Sequence, residues 1–138
     1  MKIRKIIAAA LIMCTSITMA VPAYASSKDS VLPSEYISST KYVSTELRNK
    51  DNSSYHYIYN KCGIPISVLS YSQSNVNCTK NSYAVIPANS QRFITNYVYE
   101  WGYRNCRLTI RGNVGGASVL LKGVWSPDCV GSYPVANP

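Results

Sequence analysis

From Tyr36 onward, β-branched and aromatic residues alternate with polar ones, and no stretch shows a convincing 3.6-residue period. Strong helix formers are scarce. Short alternating runs between clusters of turn-forming residues are typical of all-β sandwiches and barrels. The pattern therefore predicts a single small antiparallel β-sandwich of about seven strands over residues 36–138, with no second domain and no internal repeat.

The predicted strands lie between turn signals that are rich in Asn, Ser, Gly and Pro. Pro87 and Pro127 each end a strand because proline cannot donate to a ladder. The glycine-rich segment 112–116 predicts a hairpin between the last two strands, since glycine readily adopts positive φ. The strands are Tyr42–Leu47, Tyr55–Asn60, Ile66–Ser72, Tyr83–Ile86, Arg92–Tyr99, Arg107–Arg111 and Ala117–Trp125.

The first 25 residues have the layout of a secretory signal peptide. A basic start is followed by a mostly apolar run over 6–21, and the small residues of Ala23-Tyr24-Ala25 form a cleavage site. The run is shorter than the about 20 consecutive apolar residues that a membrane anchor needs. We therefore expect cleavage after Ala25 and a secreted, extracellular protein. The polar segment 26–35 predicts a mobile N-terminal arm.

Four cysteines remain after the leader, and two disulfides are the default in an exported chain. The sequence leaves three pairings open. The preferred one joins Cys62 to Cys78 and Cys106 to Cys129, since each bond then closes a local loop and stabilises by ~3 kcal/mol. The main rival joins Cys62 to Cys106 and Cys78 to Cys129, which would staple one sheet to the other.

Charge indicates the kind of partner. Removing Lys2, Arg4 and Lys5 leaves 11 basic against six acidic side chains, a net charge of about +5. A moderate positive charge favours anionic polymers and membrane surfaces, although it also serves solubility. No basic run exceeds two residues, so nucleic-acid binding is not indicated.

The chain contains 12 tyrosines, 11 of them beyond the leader. Tyr55, Tyr57 and Tyr59 alternate, so they share one face of a predicted strand. The aromatics at 97, 99, 101 and 103 alternate in the same way. These rows predict either a core face, which we favour because the opposite faces are more polar, or an exposed aromatic band suited to sugars, peptides or lipid headgroups.

The strand around Leu108 gives the clearest assignment of faces. Cys106, Leu108 and Ile110 alternate with Arg107, Thr109 and Arg111, so the second row is expected to be solvated. Such a row is either a plain solvated face or a basic patch that binds phosphate or carboxylate groups. The candidate binding residues are Tyr97, Tyr99, Trp101, Arg104, Arg107, Arg111 and Lys122.

Catalytic signatures are weak. His56 is the only histidine, no G-x-S-x-G segment occurs, and the cysteine spacing does not fit a zinc site. A two-carboxylate hydrolase would need a pair among the six acidic residues Asp29, Glu35, Glu46, Asp51, Glu100 and Asp128. We expect no catalytic residue, no cofactor and no bound metal.

The sequence therefore predicts a secreted, non-catalytic binding protein whose target is an anionic or carbohydrate polymer of the cell envelope. A bacteriocin-like antimicrobial that acts on membranes or wall precursors is the alternative, and a small extracellular hydrolase is the third hypothesis. The segment Gly123–Asp128 resembles the ends of small exported proteins of Gram-positive bacteria, which implies only a bacterial source.

Overall fold

The computed structural model describes residues 27–116 and 118–138, so the leader predicted over 1–25 and its cleavage site lie outside the described residues. Within them the chain forms eleven short strands and no helix, which confirms an all-β fold with more strands than expected. The strands are β1 (Ser30–Val31), β2 (Tyr36–Ile37), β3 (Val43–Ser44), β4 (Arg48–Asn49), β5 (His56–Asn60), β6 (Ile66–Ser72), β7 (Ala84–Ile86), β8 (Ser90–Ile94), β9 (Asn105–Gly112), β10 (Val119–Leu120) and β11 (Gly123–Ser126).

The strands form two main antiparallel sheets and one small pair. The four-stranded sheet has the order β1-β11-β5-β8, and β10 pairs with β2. The five-stranded sheet has the order β3-β9-β6-β7, with β4 also paired to β9. In the described part of the chain, no helix is long and apolar enough to span a membrane.

Both main sheets contribute to one hydrophobic core. Every second residue of β9 is buried, and β5 shows the same alternation. Their inward side chains, among them Leu108, Ile110 and Ile58, pack in the same cluster as Trp125 of β11. Burial of such aliphatic side chains stabilises the fold by roughly 1.5–3 kcal/mol each.

The hairpin predicted between the last two strands is wrong. β9 pairs with β6 and with β3 and β4, whereas β11 pairs with β5 in the other sheet. Gly123 allows this crossing because its φ is +149° and a Cβ there would lie 2.0 Å from the Tyr59 carbonyl oxygen. The glycine-rich segment therefore carries the chain between sheets.

A β-bulge interrupts the strand predicted over Tyr42–Leu47. Ser44 is opposite Thr109 in the ladder, but Arg48 is opposite Cys106, so Glu46 and Leu47 together face the single residue Arg107. An extra residue reverses which face each later side chain occupies. Leu47 is consequently exposed, although its apolar character favours the core.

The same bulge places two basic side chains on the inner face. Arg48 is opposite the inward-facing Cys106. Two residues further along each strand, the Lys50 N–H donates to the Arg104 carbonyl oxygen. Lys50 is completely buried as a result. Alternation without a bulge would have put neither residue there.

Part of the segment predicted as a mobile arm is built into the fold. Ser30 and Val31 pair with Trp125 and Val124 in β11. The next residue, Leu32, is buried and its N–H donates to the Gly123 carbonyl oxygen at 3.0 Å. Strand pairing and one buried leucine therefore hold a segment that composition marks as polar.

The prediction of two disulfides is wrong, because all four cysteines are free thiols in different surroundings. Cys62 follows β5, and its thiol contacts the backbone of Leu120 and Lys122. Cys78 and Cys106 flank β6 on opposite sides, since they bond to Ser70 and pair with Ser72 respectively. Cys129 lies beyond β11, with its N–H bonded to Ser54. Neither proposed pairing joins cysteines that the topology makes neighbours.

Candidate functional site

The outer face of the five-stranded sheet carries a row of polar side chains on its central strand. Arg107, Thr109 and Arg111 are half-exposed, while the residues between them are buried. In the ladder, Tyr71 of β6 is opposite Arg107, and Ser44 of β3 is opposite Thr109. The row therefore has a strand on each side, which supplies neighbours for both arginines.

A tyrosine ring lies under each arginine of this row. The Arg107 guanidinium carbon is 5.6 Å from the Tyr71 ring centroid, and that of Arg111 is 5.9 Å from the Tyr42 centroid. Arg107 also donates to the Asn75 amide oxygen, and Arg111 donates to the Gly112 carbonyl oxygen at 3.1 Å. Contact with a ring and a fixed hydrogen bond together limit the rotamers of each side chain.

The surface between the two arginines is partly polar. The Ser44 and Thr109 hydroxyls are hydrogen bonded at 2.9 Å, whereas Leu69, which is opposite Thr109 in β6, is half-exposed and apolar. We call the surface formed by Tyr42, Ser44, Tyr71, Arg107, Thr109 and Arg111 the arginine–tyrosine face.

Three of the predicted aromatic contacts lie on a turn and not on a strand. β8 ends at Ile94, and backbone bonds from Trp101 to Tyr97 and from Gly102 to Tyr99 close a turn. The Tyr97 and Trp101 rings stack at 5.2 Å. The strand predicted over Arg92–Tyr99 therefore ends earlier than expected. Tyr97 and Trp101 are four residues apart in the turn, as on a helix, and this spacing brings their rings together.

Arg104 belongs to the same turn. Its guanidinium carbon lies 4.2 Å from the Tyr99 centroid, and its Nη1 donates to the Tyr103 carbonyl oxygen at 2.8 Å. Arg104 directly precedes β9 and is exposed, but its place in the alternation is that of Cys106, so it does not belong to the row of Arg107, Thr109 and Arg111. Lys122 lies elsewhere, next to Lys61 in the other half of the fold, because the Lys61 N–H donates to the Lys122 carbonyl oxygen.

The tyrosines of β5 do not form a core face, so the interpretation we favoured is wrong for them. His56, Ile58 and Asn60 are buried, while Tyr57 and Tyr59 are half-exposed. Tyr57 packs against Tyr133 and donates to Gln91 at 2.7 Å. Burial, and after it the negative charge of Asp29, raises the pKa of Tyr57 to about 12. The polar residues point inward because they have buried hydrogen-bond partners.

A polar cluster lies between the sheets beneath β9. Lys50 and Asp128 form an ion pair there, with 0% and 1% of their side-chain surfaces exposed. His56 is fully buried beside them, donates from Nδ1 to the Pro127 carbonyl oxygen at 2.7 Å and contacts the Ser70 hydroxyl at 2.6 Å. Burial and the charge of Lys50 lower the pKa of His56 to about 3, so the ring is neutral.

Cys106 borders this cluster. Burial raises the pKa of its thiol to about 12, which removes the thiolate that nucleophilic catalysis requires. Among the side chains of 27–116 and 118–138, no group of three or more His, Cys, Asp and Glu residues is placed to hold a metal ion.

A cleft of about 500 Å³ opens between the edge strands of the two sheets. Glu35, Glu46 and Arg48 are among its lining residues. The structure thus brings together two of the six carboxylates considered for a hydrolase, and the bulge contributes one of them.

The fold and this surface define the class: an all-β protein of two antiparallel sheets that exposes a row of arginines backed by tyrosines. The chain belongs to the family described as protein of unknown function (DUF2712), whose model matches residues 19–129. No curated protein and no solved structure matches the chain.

Proposed function

We propose that this protein is secreted and binds, without catalysis, an anionic or carbohydrate polymer of the cell envelope. The observation that carries the proposal is the pairing of each exposed β9 arginine with a tyrosine ring. Arginine presents a planar fork of donors that matches phosphate and carboxylate groups. Tyrosine adds flat contact area with a polar end, which suits sugar rings.

The spacing on β9 favours a polymer over a small anion. Arg107 and Arg111 are four residues apart on one strand, which places them about 13 Å from each other at ~3.3 Å per residue. The two guanidinium groups are held against different tyrosine rings, and this arrangement suits the repeated charges of an extended chain better than one phosphate group.

Limited side-chain freedom strengthens the case for binding. Each immobilised, rotamer-rich side chain at an interface costs about 0.5–1.5 kcal/mol of entropy. Tyr71 and Asn75 already restrain Arg107, and Tyr42 restrains Arg111. Part of the side-chain entropy is therefore lost in the free protein and not on binding. The predicted leader supports an extracellular target, and the net charge of about +5 supports an anionic one.

Retention on isolated cell walls tests the proposal. Wild-type protein should be retained at about 50 mM salt and released at about 500 mM, because exposed charges are screened within a few ångströms at high ionic strength. Replacing Arg107 and Arg111 with Ser should abolish most of the retention. Replacing Lys61 and Lys122 with Ser removes the same charge from another surface and should leave most of it.

Circular dichroism checks that each variant is folded. Equal losses in the two double variants would show that net charge alone is responsible, and absence of salt-sensitive retention in the wild type would refute polymer binding. Killing of related cells by the purified protein would favour the antimicrobial alternative.

A further inference from the structure

Lys50 and Asp128 meet in the interior, although they are 78 residues apart in the chain. Lys50 extends from the end of β4 at the edge of the five-stranded sheet. Asp128 follows β11 of the four-stranded sheet. Both side chains are buried, so the contact between them joins the two sheets out of reach of bulk water.

The groups around this contact fix both reacting atoms. Lys50 Nζ donates to the Ser54 carbonyl oxygen at 2.6 Å and contacts Asp128 Oδ1. Asp128 Oδ2 accepts from the Asp51 N–H at 2.8 Å, and Oδ1 accepts from the Ser54 hydroxyl at 3.2 Å. Nζ is therefore held against a carboxyl group whose two oxygens both face hydrogen-bond donors.

We propose that Lys50 and Asp128 join covalently through an intramolecular isopeptide bond. A proton first passes from the Lys50 ammonium to the Asp128 carboxylate, which gives a neutral amine and a carboxylic acid. The Nζ lone pair then attacks Cγ, so that a C–N bond forms and the C–OH bond breaks. The departing hydroxyl takes a second proton from Nζ and leaves as water.

The site supplies what this condensation needs. Holding amine and carboxyl in contact gives them a high effective concentration. The Asp51 N–H and the Ser54 hydroxyl are placed to stabilise the negative charge that develops on the carboxyl oxygens during attack. Two buried charges become one neutral amide, which removes the desolvation cost of the ion pair.

The bond would also provide a covalent link between the sheets that the free cysteines do not. It would close a loop from residue 50 to residue 128, which contains β5 to β11. A cross-link over a long loop stabilises by restricting the unfolded chain. We expect the protein to retain this link in denaturant and in reducing agent, which would break a disulfide.

Intact-mass analysis of denatured, reduced protein tests the proposal. The wild type should be lighter by about 18 Da, the mass of one water, than the mass calculated for the same chain without a cross-link. Lys50→Arg keeps the positive charge but cannot form this amide, and Asp128→Ala has no carboxyl, so both should show no loss. Lys61→Arg changes an exposed lysine and should still lose water.

Peptide mapping locates the bond and does not depend on the folding of any variant. Trypsin cannot cleave after an acylated lysine, so Asn49–Lys61 should be recovered joined to Gly123–Pro138. Unchanged wild-type mass in folded protein would overturn the proposal. Loss of water with cleavage after Lys50 and two separate peptides would also overturn it, because that result indicates dehydration within one aspartate.

Discussion

Lys50 and Arg107 are basic residues on paired strands, yet one is buried between the sheets and the other lies on the outer face. The bulge at Glu46 and Leu47 accounts for the difference, because it moves Arg48 and Lys50 to the inner face while β9 keeps its alternation. The comparison shows that one extra residue can decide whether a charged side chain lies in the interior or on the outer face.

Deleting single residues tests this explanation and should give the largest effect. Removing Glu46 restores a regular ladder between Thr45 and Arg48, so the protein should still fold with Lys50 inside. Removing Thr109 shifts one half of β9 by a residue, turns either Arg107 or Ile110 to the wrong face, and should prevent folding. Circular dichroism and urea unfolding measure both variants.

The opposite outcome is equally informative. Suppose that the Glu46 deletion unfolds the protein while other surface deletions are tolerated. The bulge is then required for the fold, and its role is not limited to determining which side chains at and after β4 point inward. If the Thr109 deletion folds normally, the register of β9 does not control the core.

Much of the fold follows from alternation in the sequence. β5, β6 and β9 match their predicted positions closely because each has a buried row and a more exposed row. Turn glycines and prolines marked the ends of strands, but they could not show that the chain changes sheets after β9 and that β11 pairs with β5. Strand pairing depends on contacts distant in sequence.

The candidate site was only partly predictable. Arg107 and Arg111 were found from alternation, but Tyr42 and Tyr71 were missed because they come from neighbouring strands. The pairing of Lys50 with Asp128 was missed because a bulge places Lys50 in the interior, and a bulge leaves no clear signal in one sequence. For β5, polarity suggested the wrong face, since His56 and Asn60 are buried with hydrogen-bond partners for their side chains.

Removing a charge should cost far more inside the protein than on the arginine–tyrosine face. Asp128→Ala leaves a charged Lys50 buried without the carboxyl partner that it contacts in the wild type, and should lower the free energy of unfolding by at least about 3–5 kcal/mol, with loss of the proposed amide adding to this effect. Arg107→Ser should change it by less than about 0.5 kcal/mol, because surface substitutions usually have small effects. Urea denaturation at constant pH measures both values.

Asp29→Ala is the control for loss of an aspartate at an exposed position, and it should resemble the wild type. A small effect of Asp128→Ala would show that the interior tolerates an unpaired lysine. Lys50 and Arg107 would then differ only in burial, and the contact of Lys50 with Asp128 would contribute little to the free energy of unfolding.

The pH dependence of stability provides a smaller and more specific comparison. Because burial lowers the pKa of His56 from its ordinary 6.5 to about 3, the unfolded chain takes up a proton before the folded protein does as pH falls. The contribution of His56 to stability is therefore fully present above pH 6.5. The free energy of unfolding should decrease by about 2 kcal/mol between pH 7.5 and pH 5, at 1.36 kcal/mol per pH unit below the unfolded pKa.

His56→Gln should be less stable at neutral pH, because the fit around Pro127 and Ser70 changes, but its stability should vary much less over this range. Arg107→Ser should keep the wild-type slope, since the arginine–tyrosine face contains no histidine and no carboxylate. A flat profile for the wild type would mean that the folded protein accepts the proton on His56 as readily as the unfolded chain, which the complete burial of the ring argues against.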